Sequence, residues 1–159
     1  MAAFEVRSAL VEDARPLAEL IAKVAEERDG IATEPPVDID ERTEVFAGGT
    51  PGTLVAVAAG GEIVGMLHVE SSRFGSGELG MAVAREWRGR GVGSALVQAA
   101  IEWARAEGLH KLCLEVFAHN QAGLALYKKF GFAVEGRRVK QIRRSSGELW
   151  DSIAMGLLL

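Results

Sequence analysis

A strand-like stretch that runs through glycines and arginines into a long helix leaves this chain few options. Leu79–Ala84 is apolar, Arg88-Gly89-Arg90-Gly91-Val92-Gly93 follows, and Gly91–Glu107 carries Leu96, Val97, Ala100, Ile101 and Ala104 at helical spacing. The first N–H groups of a helix have no carbonyl partner inside it, and the helix dipole favours negative charge there. Glycine lets the backbone come close to a ligand, and Arg88 and Arg90 add cationic side chains. The junction therefore predicts an anion site. It is not the dinucleotide fingerprint G-x-G-x-x-G, because Ser94 stands where the last glycine is required. It is not a P-loop, because no Lys-Ser/Thr pair follows. What remains is a cradle of backbone amides with flanking arginines. A flexible turn with solvated arginines is the plainer alternative.

The rest of the chain supplies a sheet and helices around that junction. Phe4–Ser8 alternates as a half-buried strand does. Asp13 is placed to cap a first helix whose stripe is Leu17, Leu20, Ile21 and Val24, with Gly30 as its stop. A short helix runs from Asp40 to about Phe46. Leu54–Ala59 and Glu62–Glu70, joined by Gly60-Gly61, read as a hairpin. Ser71–Gly77 reads as a loop and Leu79–Ala84 as a strand. Lys111–Phe117 is a strand rich enough in apolar residues to be central. A helix starts at His119-Asn120 and runs through Phe130, and Val134–Lys140 with Ser152–Leu157 forms a final strand pair. The order β-α-α-β-β-β-α-β-α-β-β belongs to the α/β class, a mixed sheet with helices on its faces. A chain of 159 residues suits one domain, residues 1–159.

Composition excludes several functions. No apolar run is long enough to span a membrane, and no export signal is visible at the N-terminus. One cysteine, Cys113, forbids an internal disulfide and makes the cytoplasm the expected compartment. The formal net charge of −4 does not suit a general nucleic-acid binder. Three histidines and one cysteine are scattered without ligand spacing, so no metal is expected. Charge is nevertheless uneven. Residues 12–44 hold eleven acids against four bases, and Arg137–Arg144 holds five bases and no acid. The first could draw an ammonium-bearing ligand and the second a carboxylate, although solvated faces explain both more simply.

The motif Arg88-Gly89-Arg90-Gly91-Val92-Gly93 resembles the Q/R-x-x-G-x-G/A signature of the GNAT family of N-acetyltransferases. Leu114–Phe132, with Asn120, Tyr127 and Gly131-Phe132, resembles the second half of the same family, in the right order and at the right spacing. The likeness runs from about Leu54 to the C-terminus. Within the family it leans toward bacterial amino-acid and ribosomal-protein-alanine N-acetyltransferases, with the tail Gly147–Met155 similar to the former. The resemblance implies the acyl-CoA N-acyltransferase fold, a central, mostly antiparallel sheet flanked by helices. It implies acetyl-CoA as co-substrate and direct transfer to a primary amine on a small molecule such as an amino acid, or on a peptide or protein N-terminus. It also allows a homodimer.

Roles follow from that likeness, residue by residue. Amides of Gly89, Arg90, Gly91, Val92, Gly93 and Ser94 would hold the pyrophosphate, with the Arg88 side chain beside them. Main-chain N–H groups of Met81, Ala82 and Val83 would polarise the thioester carbonyl. Asn120 would bond the cofactor arm, and Tyr127 would protonate the departing thiolate. Read from the residues alone, Tyr127 is a core aromatic and Asn120 a plain N-cap, and Asn120 could do both jobs. For the base, Glu115 stands in an apolar strand, which calls for a function or a paired arginine. Glu78, just before Leu79–Ala84, is the other candidate. Cys113 reads as a small apolar residue. A binding module that senses CoA or acetyl-CoA without turnover is the alternative function.

Overall fold

The computed structural model describes residues 3–159. Among them the strands are β1 (Phe4–Ser8), β2 (Thr53–Ala58), β3 (Ile63–Ser71), β4 (Ser76–Val83), β5 (Lys111–Phe117), β6 (Ala133–Arg143) and β7 (Leu149–Leu158). The helices are α1 (Ala14–Ala25), α2 (Ile39–Gly48), α3 (Val92–Ala106) and α4 (Gln121–Lys129), with short 3-10 turns at Val11–Asp13 and Arg85–Trp87. The seven strands follow the order β1-β2-β3-β4-β5-β7-β6. Pairing is antiparallel for β1–β2, β2–β3, β5–β7 and β6–β7, and parallel for β4–β5. The mixed, mostly antiparallel sheet expected from the sequence is present.

Two compact units divide the chain. One runs up to Val69 and includes Met81–Ala100; the other holds Glu70–Gly80 and Ile101–Leu159. In the first, the apolar stripe of α1 (Leu17, Leu20, Ile21, Val24) packs in one cluster with Val55, Ile63, Met66 and Ala82. Gly65 of β3 lies against the start of α3. A Cβ there would stand 2.8 Å from Val92 Cγ1 and 3.2 Å from Leu96 Cδ1. Valine is stiff at χ1, so it cannot swing away. In the second unit β5 is central, with Leu112, Leu114 and Val116 buried.

Three of the differences from the boundaries expected of the sequence have a clear physical cause. Asp13 does not cap α1. Its carboxylate accepts Arg7 at 2.7 and 3.1 Å and the Leu10 N–H at 2.7 Å. Asp13 is buried, and the Arg7 guanidinium holds its carboxyl below the usual range, with the Leu10 amide adding to the effect against burial. Helix α1 ends at Ala25 rather than Gly30, because Arg28 takes φ 57° after short-range bonds from Glu27 and Arg28 to Val24 and Ala25. Strand β4 begins at Ser76 rather than Leu79, because Ser76–Glu78 pair with Lys111–Cys113. Ladder bonds outweigh the loop propensity of Gly and Ser.

Gly65→Val should destabilise by about 1–3 kcal/mol through overpacking against Val92. A thermal melt followed by circular dichroism should show Tm lowered by about 2–4 °C per kcal/mol in a chain of this size. An unchanged Tm would mean that β3 and α3 do not approach as described.

Candidate active site

In the first unit, β4 ends in Met81, Ala82 and Val83, and the 3-10 turn leads to Arg88. Gly89 and Gly91 take φ of 72° and 87°, a region that side chains disfavour, and so they reverse the chain into α3. A Cβ on either would meet nothing within 4 Å. The glycines are thus required by backbone conformation, and the space above them is open. The Ala95 N–H donates to the Gly91 carbonyl at 3.0 Å, so the helical ladder starts there. Amides before Ala95 have no helical acceptor and lie where the dipole is positive.

The two arginines divide their work. Arg88 grips Glu27 with both terminal nitrogens, at 2.6 and 2.8 Å, and its Nε donates to the Val83 carbonyl at 3.0 Å. Its guanidinium therefore ties the turn to the segment after α1 and to the end of β4. Arg90 lies over the Trp87 ring at 4.8 Å, exposed and without an ion pair among the described residues. Of the two, Arg90 is the cation open to an anion.

Glu78, Glu115, Asn120 and Tyr127 belong to the second unit. Glu78 is exposed and lines a groove of about 190 Å³ with Glu70, Ser72, Ser76 and Cys113. Burial pushes the Cys113 thiol up, with smaller contributions from Glu135 and Glu78 against Lys111. The thiol stays protonated and packs as a small apolar group. Glu115 is exposed on the β5 face opposite Leu112, Leu114 and Val116, with its Oε1 2.6 Å from an Arg138 terminal nitrogen. A paired arginine, one of the two expectations for a carboxylate in this strand, is present. Asn120 caps α4 by accepting the Gly123 N–H at 2.9 Å through Oδ1, which leaves its Nδ2 as a donor.

Tyr127 sits two helical turns beyond Asn120 at 7% exposure, edge-on to Phe132 with ring centroids 5.7 Å apart. Burial pushes its phenol up to about 12. It is a proton donor at any neutral pH.

The sequence reading passed over the buried Arg144. It treated Arg137–Arg144 as a solvated hairpin, yet Arg144 is 4% exposed, stacked on Trp150 at 4.4 Å and on Phe117 at 5.3 Å. Trp150 was the available signal, since aromatic faces hold guanidinium groups. The acidic excess of residues 12–44 is partly structural: Asp13 and Glu27 serve Arg7 and Arg88, and Arg15 bridges to Glu19 and Asp40. Among the described residues no three His, Cys, Asp or Glu gather as metal ligands, and no helix is long and apolar enough to cross a membrane.

The model of the acetyltransferase (GNAT) family matches residues 17–132. The chain belongs to the acetyltransferase (GNAT) family. It is 34% identical over 138 residues to the L-methionine sulfoximine/L-methionine sulfone acetyltransferase of Pseudomonas paraeruginosa, covering 81% of this chain and 79% of that protein. It is 34% identical over 103 residues to an L-amino acid N-acetyltransferase of Escherichia coli, covering 60% and 61%. Among solved structures, ribosomal-protein-alanine N-acetyltransferase from Brucella melitensis is similar at 28% identity and TM-score 0.88, covering 98% of this chain and 99% of that one. The GNAT signature falls on the turn before α3, and the second motif falls on β5 and α4.

Tyr127 is the only tyrosine, so phenolate absorbance reports one group. An ordinary phenol is half ionised near pH 10. With the folded value raised to about 12, the native protein should show almost no phenolate at pH 10. Tyr127 then contributes stability that is full below about pH 10, the unfolded value, and lost as pH rises through about 12. A half-formed phenolate signal at pH 10 in folded protein would contradict the burial.

Proposed function

We propose that this N-acetyltransferase moves an acetyl group from acetyl-CoA directly to the primary amine of a small molecule of the amino-acid type. The observation that carries the proposal is the turn before α3, where Gly89 and Gly91 hold positive φ under open space and the first-turn amides have no acceptor within the helix. The two relatives named above act on L-amino acids or amino-acid analogues, which supports the acceptor class.

Acetyl-CoA supplies an activated acetyl as a thioester; the chain's residues do the rest. Amides from Gly89 to Ser94 bind the diphosphate, with Arg90 beside them and Arg88 as the strut that holds the turn in place. Only Ser76–Glu78 of β4 pair with β5, so main-chain N–H groups of Met81–Val83 lie past the end of that ladder. They are assigned to the carbonyl oxygen, whose negative charge grows as the amine attacks. Asn120 offers Nδ2 to the cofactor arm.

The new N–C bond forms as the C–S bond breaks. The amine's proton passes to a carboxylate, and the sulfur leaves with the bonding pair as a thiolate that accepts a hydrogen bond from the Tyr127 hydroxyl. Magnitudes define that last role. Complete transfer from a phenol near 12 to a thiolate of ordinary basicity, near 8.5, would run uphill by about 5 kcal/mol. Tyr127 therefore acts mainly as a strong hydrogen-bond donor to charge developing on sulfur. Of the two base candidates, Glu78 is the better. Its carboxylate is exposed at the groove, whereas Glu115 is committed to holding a cation, Arg138 in the free protein.

Thiol release on mixing the protein, acetyl-CoA and a panel of amines tests the reading. Release with free amino acids is expected; CoA binding without release from amino acids, polyamines or peptide N-termini would leave only a sensor. Tyr127→Phe should lower kcat by about 10²-fold or more with a small change in KM for acetyl-CoA. Glu78→Gln should lower kcat far more than Glu115→Gln does. The reverse order would move the base to Glu115.

A further inference from the structure

Sheet register places three rows of side chains on one face of the second unit. The first row joins Glu78, Cys113 and Gly156; the second joins Glu115, Ala154 and Gly136; the third joins Phe117, Ser152 and Arg138. Leu112, Leu114 and Val116 point to the opposite face. The β7 positions here are small, and that permits an unusual contact. Arg138 of β6 reaches across β7 to Glu115 of β5, two strand spacings or about 10 Å away, and closes to 2.6 Å. Larger side chains at 152 and 154 would stand in its path.

Beside this ion pair lies an unsatisfied donor. Ser152 is 0% exposed, and its Oγ has no hydrogen-bond partner among the described residues. It is the only buried side-chain oxygen or nitrogen so found among them. Buried hydroxyls normally find partners, so an orphan asks for a ligand. Phe117, the register partner of Ser152 on β5, packs edge to face on Trp150 at 5.0 Å, and Arg144 stacks on both rings.

We propose that Arg138 and Ser152 form the subsite for the α-carboxylate of an amino-acid acceptor, entered by exchange of the Arg138–Glu115 ion pair. The acceptor's carboxylate takes the guanidinium from Glu115 as a two-pronged partner. Its ammonium, one carbon away, takes the Glu115 carboxylate. Every charge keeps a partner, so the exchange leaves no uncompensated ion. Ser152 donates its hydroxyl proton to the second carboxylate oxygen. The amine then lies on the Glu115 and Glu78 side of the face, and Glu78 is the proton acceptor already assigned. An amine without a carboxylate gains nothing from Arg138, which stays on Glu115. A site built to hydrogen-bond a group rejects analogues that lack it.

The inference rests on the acetyltransferase reading, and one experiment separates the two. Thiol release is measured for L-amino acids and for their α-amides, in the wild type, Arg138→Gln, Arg138→Lys and Ser152→Ala. Acetyl-CoA binding by calorimetry confirms that each variant is folded. The wild type should prefer the best acids over their amides by at least about 100-fold in kcat/KM. Arg138→Gln should bring that preference near unity through the acids alone, and Arg138→Lys should restore part of it. Ser152→Ala should cost the acids about tenfold and leave the amides within about twofold. Equal rates for acids and amides in the wild type, or a preference that survives Arg138→Gln, would remove the subsite and leave the transferase standing. No release from any acid or amide would remove both.

Discussion

Helix α3 begins with amides that no carbonyl of its own can accept, and much of the first unit is arranged to keep that start in place. Gly89 and Gly91 make the reversal that presents them. Arg88 braces the turn from Glu27 and from the Val83 carbonyl. Gly65 lets β3 come within packing distance of Val92 and Leu96, so the first turns of α3 rest on the sheet. The diphosphate site proposed for this turn would need such support, because main-chain donors are aimed only by the fold that holds them.

Charge is handled differently in the second unit. There the polar groups stand on one sheet face and face one another. Lys111 meets Glu135 at 2.7 Å and Arg138 meets Glu115 at 2.6 Å, while buried Arg144 is held on aromatic rings. Exposed ion pairs of this kind add little to stability. Their value lies in exchange: a paired guanidinium can change partners without being desolvated anew. Tyr127 is the opposite case, a buried phenol whose environment fixes it in one protonation state across the neutral range.

Much of this was legible from spacing. The strand Lys111–Phe117 has the bounds expected of it, and the buried stripe of α1 is the one read from Leu17, Leu20, Ile21 and Val24. The turn before α3 was readable because glycine and arginine at a strand–helix junction have few other uses. The exceptions have a common cause. Asp13 reads as a cap and Arg88 as an open cation, and each is engaged instead by a side chain from outside its own turn or helix. Arg7 takes the first, and Glu27, 61 positions away, takes the second.

The sequence by itself therefore determined the order of strands and helices, the glycine turn at Gly89–Gly91 and the family. These depend on local periodicity and on glycine conformation, which neighbouring residues encode. Only the tertiary structure decided which arginine is occupied, which glutamate stands at the groove, and that Ser152 is buried with no hydrogen-bond partner among the described residues, beside an ion pair spanning three strands. Those outcomes depend on cross-strand register and long-range pairing, where a side chain's chemistry is set by what the fold puts opposite it.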